Sequence, residues 1–214
     1  MYIFSQFRSS AREMKNLRSV ILAALLLAIH TILSVLISIQ VTESLKISIS
    51  FIANALTGCL FGPTVALING ALGDLLQFMI KPTGGFFFGW TLNAALASMI
   101  YGMFFYGKLP RRAAAMEETD GRKPFLMRFL GLDLKFFLRT LIAITLVNLL
   151  VNSLLGTYWC MLLYGKHFMV YFTPRFIKNL VQIPINTLIT YYALRALAEV
   201  PDFRRLVLKQ TSRK

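Results

Sequence analysis

The sequence predicts an all-α integral membrane protein with six transmembrane helices and with both termini in the cytoplasm. Three observations lead to this fold class. The chain of 214 residues is 57% apolar and only 15% charged, whereas about a quarter of the residues in a typical soluble domain are charged. Six apolar stretches approach the length of about 20 residues that crosses a bilayer as a helix. Basic residues also gather on one side of these stretches.

The predicted spans leave little room for a soluble domain. The second and third are short and need tilt or local thinning of the bilayer. No cleavable signal peptide is predicted, because no clear small-residue cleavage site follows the first apolar run. The spans cover residues 17–39, 47–62, 64–80, 86–106, 137–164 and 171–198. Around them we predict a cytoplasmic segment at 1–16, a transmembrane domain at 17–198 with an inner loop at about 107–136, and a basic cytoplasmic tail at 199–214.

The net charge of +14 follows membrane topology. With the N-terminus inside, most Lys and Arg residues fall in the inner segments, which is the positive-inside pattern. The expected partner is therefore a lipid bilayer, and no nucleic acid is expected. The basic residues of the outer side outnumber its acidic Glu43 and favour an anionic ligand; they are Lys46, Lys81, Lys166, Arg175 and Lys178.

The third span carries a carboxylate, Asp74, deep in the apolar region. Gln77 and Lys81 follow it on the same helix face. An unpaired carboxylate in a membrane is costly, so Asp74 requires a partner. We consider two roles for it, a ligand contact from an outward cavity or a structural pair with Lys81 or another helix.

The stretch "QFMIKPTGGFFF" at 77–88 joins the third and fourth spans with almost no linker. Pro82 ends the helix, and the glycines permit a tight reversal. Lys81, Thr83, Gly84 and the glycine amides are then presented at the outer mouth, which suits an anion or a carbonyl group. A plain tight turn is the alternative. Trp90, just inside the fourth span, offers a flat surface for a ring.

The sixth span has a polar stripe. Four side chains lie within roughly 40° of one line along the helix, with Lys178 about 60° to one side. Either the stripe faces a substrate or it hydrogen-bonds to neighbouring helices. The stripe consists of Arg175, Asn179, Gln182 and Asn186.

The fifth span has a second stripe, of Thr145, Asn148, Asn152 and Trp159. The two asparagines are expected to bridge helices rather than to touch a ligand. For Trp159, an aromatic belt at the membrane surface and stacking on a ligand are both open.

The sequence shows no catalytic motif. G-x-S-x-G, H-E-x-x-H and paired catalytic carboxylates do not occur, and only Asp74 with His30 would suit an enzyme. Cys59 and Cys160 fall in predicted spans, where they pack as small apolar residues. Two Cys and two His, far apart, lack ligand spacing. We therefore predict no enzyme, no cofactor and no metal site.

Small residues recur at four-residue spacing, which lets helix backbones approach closely in lipid. For the pairs Gly58 and Gly62, and Gly85 and Gly89, we expect internal packing. For Ala24 and Ala28 in the first span, internal packing and a docking face for another protein are both open.

Three stretches together resemble a known family. They are "NALTGCLFGPTVALINGALGDLLQFMIKPTGGFFFGWTLNAALASMIYG" at 54–102, "LVNSLLGTYWCMLLYG" at 150–165 and "RFIKNLVQIPIN" at 175–186. Over about residues 17–198 the chain resembles the substrate-binding S component of an energy-coupling factor (ECF) transporter, most like its folate-type branch. One departure is that Phe88 and Trp90 flank Gly89, where the family pattern more often has Pro and Phe.

The resemblance implies a vitamin site that opens outward, with residues 40–46 as its lid. It places the docking motif for a transmembrane coupling subunit on Ala24 and Ala28, and it implies two cytosolic ATPase subunits. The location would be a bacterial plasma membrane, where the whole S component topples to carry its vitamin inward.

Folate is the first choice of vitamin. Trp90 and Trp159 would stack on its rings, and Asp74 or Gln77 would read the donor edge of its pterin. Its carboxylates and remaining polar groups would meet Arg175, Lys178, Lys81, Gln182 and Asn152. The alternatives are pantothenate, thiamine or a queuosine precursor in the same fold, or else a membrane-embedded enzyme.

Overall fold

Helices make up nearly all of the described chain, and a short hairpin is the exception. The structure, a computed structural model, describes residues 2–37, 39–42, 45–82, 85–110, 133–165 and 167–211. At this level the predicted helical class is confirmed. In chain order the elements are α1 Tyr2–Glu13, α2 Leu17–Leu36, β1 Ile39–Thr42, β2 Leu45–Ile47, α3 Phe51–Phe61, α4 Pro63–Ile80, α5 Phe88–Phe105, α6 Leu134–Leu146, the π-helix π1 Val147–Leu155, α7 Gly156–Tyr164, α8 Phe168–Glu199 and α9 Pro201–Thr211.

Four helical stretches within the described ranges are long and apolar enough to cross a membrane. They are α2, α4, α5 and the continuous run Leu134–Tyr164. The helix α3 is apolar but has only 11 residues, or about 17 Å, against a hydrocarbon core of about 30 Å. The helix α8 has 32 residues, and its polar stripe lowers its hydropathy. These helices are those of a multi-pass membrane protein. The predicted inner loop falls largely on residues 111–132, which lie outside the described ranges.

The strands β1 and β2 form an antiparallel hairpin between α2 and α3. Ile39 pairs with Ile47, Gln40 with Lys46 and Thr42 with Leu45, with a register irregularity between Gln40 and Thr42. The predicted lid, 40–46, falls on this hairpin, although residues 43 and 44 lie outside the described part.

The helices α3 and α5 meet backbone to backbone. A Cβ on Gly58 would lie 2.6 Å from the amide nitrogen of Gly102, too close for any side chain. The internal packing predicted for Gly58 is therefore confirmed. At Gly85 the same prediction is wrong, because this residue is exposed and a Cβ there would meet no atom of the described residues within 4 Å.

The helix α1 caps the turn between α3 and α4. The Ser10 hydroxyl donates to Phe61 O at 2.6 Å and accepts from the amides of Thr64 at 3.0 Å and Val65 at 3.2 Å. Those amides belong to the first turn of α4, whose own N-cap residue, Gly62, has no side chain to offer. A serine from another helix thus does the work of an N-cap.

An aromatic core fills the end of the bundle to which α1 and α9 attach. Tyr101, Phe105, Phe136 and Tyr191 form a chain of rings with centroids 6.0 to 6.1 Å apart, and Val207 of α9 is fully buried against them. This end is tightly packed, and the large cavity of the bundle lies towards the hairpin end.

Candidate functional site

A cavity of about 360 Å³ lies towards the hairpin end of the bundle. Its volume falls in the range of ligand sites, roughly 300 to 1,000 Å³. Its walls come from α2, α3, α4, α5, π1 and α8. Seven of the predicted site residues line it, namely Asp74, Gln77, Trp90, Asn152, Arg175, Lys178 and Gln182.

The other four predicted site residues either do not line the cavity or lie outside the described residues. Lys81 is exposed at the end of α4, where its amide bonds to Gln77 O at 2.9 Å, and it lies outside the lining. Thr83 and Gly84 lie outside the described residues. Trp159 also lies outside the lining: its Nε1 donates to Asn93 Oδ1 at 3.0 Å, and its ring packs edge-on against Phe87 at 5.6 Å.

The π-helix explains why Trp159 is not in the cavity wall. With about 100° per residue in an α-helix, Asn148, Asn152 and Trp159 would share one face. A π-helix has more residues in each turn, so π1 rotates α7 relative to the positions that an unbroken α-helix would give. Asn148 and Asn152 line the cavity, whereas Trp159 packs behind the lining.

The carboxylate Asp74 is held by α5. Thr91 Oγ1 donates to Asp74 Oδ2 at 2.8 Å, which satisfies part of the demand for a partner that the sequence raised. One turn along α4, Gln77 is hydrogen-bonded to Ser34 of α2. Both α4 side chains are thereby oriented by their neighbours while they line the cavity.

Arg175 is a buried cation in the cavity wall. Only 6% of it is exposed, and its guanidinium carbon lies 5.3 Å from the ring centroid of Trp90, within cation–π range. It also donates to Asn152 O at 3.4 Å and to Cys160 Sγ at 3.0 Å. This packing aims the guanidinium instead of leaving it to snorkel to the membrane surface.

The polar stripe of α8 divides between two tasks. Gln182 and Asn186 line the cavity, while Asn179 donates to Asn148 O at 3.1 Å and to Ser153 Oγ at 2.8 Å. Both alternatives, a stripe facing a cavity and hydrogen bonding between helices, therefore hold for part of it.

Several lining residues were not predicted from the sequence. His30 and Ser34 of α2, Asn54 of α3 and Asn93 of α5 all line the cavity. Their signal was available, because polar side chains within membrane helices usually face a cavity or a partner. His30 and Ser34 also lie one helical turn apart, on one face of α2.

The lining combines one carboxylate, two cations, several amides and an indole ring. Such a surface can bind an anionic aromatic molecule through charge-assisted hydrogen bonds and ring contacts. Among the residues that the structure describes, no three His, Cys, Asp or Glu side chains gather to hold a metal ion.

Comparison with known proteins gives the family. Residues 18–194 match the family described as "ECF transporter, substrate-specific component". The chain belongs to the substrate-specific components of ECF transporters. Membership makes this S component a transport protein and not an enzyme, and it confirms the resemblance seen in the sequence.

The named relatives are folate transporters. The S component is 32% identical over 180 residues to "Folate transporter FolT" of Clostridium novyi (strain NT), covering 84% of this chain and 90% of that protein. It is 28% identical over 182 residues to the protein of the same name from Leuconostoc mesenteroides subsp. mesenteroides, covering 83% and 84%. A crystal structure of FolT bound with folic acid matches with a TM-score of 0.67 and 32% identity, covering 84% of this chain and 95% of that one.

The two predicted docking residues lie on the outer face of α2. Ala24 and Ala28 are both exposed, and Ala24 borders an apolar groove of about 230 Å³ between α2 and α4. Because alanine projects only a methyl group, another helix could approach this face closely.

Proposed function

We propose that this S component binds folate in the cavity between its helices, on the outer side of a bacterial plasma membrane, and delivers it inward. The observation that carries the proposal is the lining itself: a carboxylate, an indole and two cations meet in one cavity of ligand size. The relatives named as folate transporters and the similar structure with folic acid support the choice of vitamin.

The proposed contacts follow the chemistry of folate. Trp90 meets a ring, Asp74 or Gln77 accepts from the pterin donor edge, and Arg175 with Lys178 binds the carboxylates. Gln182 and Asn152 complete the hydrogen bonding. Trp159 would act from behind the lining, through Phe87. Lys81, Thr83 and Gly84 would stand at the mouth, where a cation draws in an anion.

The proposed topology has six spans and cytoplasmic termini. The short α3 and the polar α8 supply the second and sixth spans, around the four longer stretches. The basic segments 1–16 and 199–214 and the inner loop at about 107–136 would face the cytoplasm, in keeping with the positive-inside rule. The domain at 17–198 would form the membrane-embedded body.

The proposed assembly includes three further chains. A transmembrane coupling subunit would dock on Ala24 and Ala28, and two cytosolic ATPase subunits would supply energy. The segment 40–46 would close over the bound vitamin as a lid. Replacing Ala24 by Leu should abolish co-purification with the coupling subunit and leave folate binding unchanged, and retained co-purification would contradict the docking site.

The first test is a fluorescence titration of the detergent-purified chain. Only Trp90 and Trp159 report, because the chain has two tryptophans; one lines the cavity and the other packs behind it. We expect quenching by nanomolar folate and none by thiamine or pantothenate. A response to another vitamin alone would move the substrate, and no response to any of them would contradict a vitamin site.

The second test replaces Arg175 by Ala. Folate affinity should fall about 100-fold, or about 2.7 kcal/mol, because a buried cation partner of a carboxylate is lost. A neutral 6-methylpterin, which lacks the glutamate carboxylates, should lose much less affinity. An equal loss for both compounds would contradict the proposed role of Arg175.

A further inference from the structure

The π-helix π1 forms part of the cavity wall through Asn148 and Asn152. Segment π1 reads "VNLLVNSLL" and contains neither glycine nor proline, which are the usual residues at helix irregularities. Nine residues of π-helix are unusual, since π-helices mostly occur as single-turn bulges, often at functional sites. We therefore look to the side chains that bond to its backbone, from α8 and from π1 itself, for what stabilises it.

The backbone hydrogen bonds at the end of π1 depart from the α-helical pattern. The Gly156 amide donates to Val151 O, five residues earlier, and to Ser153 O. In an α-helix this amide would donate to Asn152 O, four residues earlier. Arg175 Nη1 instead donates to Asn152 O. Gly156 is needed for this approach, because a Cβ there would lie 2.5 Å from Arg175 Nη1.

Asn179 supplies the second support, one turn further along α8. Its Nδ2 donates to Asn148 O at 3.1 Å and to Ser153 Oγ at 2.8 Å, and Ser153 Oγ itself donates to Asn148 O at 2.9 Å. Only 1% of Asn179 is exposed, and it does not line the cavity. Its amide nitrogen therefore bonds to π1 and not to a ligand.

The register of π1 also matters for packing on both sides of it. Along an uninterrupted α-helix, the buried Thr140 and Ala143 of α6 and the buried Gly156 and Cys160 of α7 would point roughly 150° apart. All four are buried in the structure. The extra residues in each π turn bring both faces towards the bundle.

We propose that Asn179 is a positioning residue for the binding cavity. By bonding Asn148 O and Ser153, it maintains the π register that turns Asn148 and Asn152 towards the cavity. Loss of this register by one residue would rotate those side chains by about 100°. The inference deepens the proposed function, since it names what holds one wall of the proposed folate site.

The test measures how accessible a π1 side chain is from the cavity, and it requires no vitamin. Asn152→Cys provides a cavity-facing thiol, and its rate of reaction with a charged, membrane-impermeant maleimide is measured on the detergent-purified chain. The native Cys59 and Cys160 are both buried, and the parent chain gives their background. Adding Asn179→Leu should lower the rate about tenfold, the effect of losing a buried hydrogen-bond partner.

The matched control is Thr187→Val, another buried polar residue of α8, whose hydroxyl bonds only to Ile183 O of its own helix in the described contacts. It should leave the labelling rate unchanged. Where Asn179→Leu does not give monodisperse protein, Ser153→Ala provides a smaller change and should lower the rate severalfold. An unchanged rate in the tested variant would overturn the proposal.

Folate affinity is measured separately, with Asn152 intact. Asn179→Leu should weaken binding about tenfold, and reduced labelling with unchanged affinity would overturn the positioning role. If the parent chain itself bound no folate, the proposed function would fail, while the labelling rates would still decide whether Asn179 sets the register of π1.

Discussion

Two regions of the bundle pack by different means. The first, α3 to α5, uses glycines to bring backbones together, as where a Cβ on Gly58 would lie 2.6 Å from Gly102 N. The second, α6 to α8 with π1, is joined by side-chain hydrogen bonds, such as those from Asn179 to Asn148 O and Ser153 Oγ. Both regions contribute walls to the cavity.

The two regions should differ in how they respond to substitutions. Backbone-to-backbone contact has no flexible part that can yield, so the first region is a rigid support. In the second region the contacts end on the flexible side chains of Arg175 and Asn179. Disturbance there should shift the site before it unfolds the bundle, because low-dielectric hydrogen bonds orient groups as well as stabilise them.

The largest effect should come from Gly58→Ala. Its methyl group would collide with the backbone of Gly102, and overpacking of this kind costs up to about 3 kcal/mol. The unfolding midpoint of the detergent-purified chain measures this loss. Gly85→Ala is the control, since within the part of the chain that the structure describes nothing lies within 4 Å of a Cβ there, and it should change stability by less than about 0.5 kcal/mol. Equal stability of the two variants would contradict the rigid backbone contact inferred for the first region.

Gly156→Ala should affect folate affinity more than it affects stability. Its methyl group meets Arg175 Nη1 at 2.5 Å, the far end of a side chain that can move. We expect stability to fall by only about 1 kcal/mol, while folate affinity falls about tenfold because the guanidinium is displaced. The titration is compared with that of Gly58→Ala, whose folded fraction should bind folate normally. A larger stability loss than for Gly58→Ala would contradict the difference between the regions.

Ser10→Ala should have the smallest of the three effects and sharpens the picture of the first region. It removes the hydroxyl that caps the first turn of α4, and loss of an N-cap costs about 1 kcal/mol. Thermal unfolding checks this value. Arg8→Ala, at an exposed position of the same helix, is the control, because it leaves the Ser10 hydroxyl in place. Identical midpoints for the two variants would show that α1 does not stabilise the α3–α4 turn.

Sequence patterns predicted much of the cavity because polar residues in an apolar helix are conspicuous. Asp74, Gln77 and the α8 stripe stand out for this reason, and all of them except Asn179 line the cavity. His30 carried the same signal and was considered only as a member of an enzyme site. The helical character of α1 and α9 was not anticipated, since neither segment is apolar enough to show as a span.

Apolar length and charge distribution in the sequence alone determined that this is a helical multi-pass membrane protein, and the family followed from its motifs. These properties are local, because a membrane helix must satisfy its backbone hydrogen bonds internally and its side chains must suit lipid. The register of π1 was decided by tertiary structure. Arg175 and Asn179, more than 20 residues along the chain from the carbonyls to which they donate, bond to π1 only after α8 has packed against it. Treating the fifth span as an unbroken α-helix therefore placed Trp159 on the same face as Asn148 and Asn152. In the structure it packs behind the residues that line the cavity.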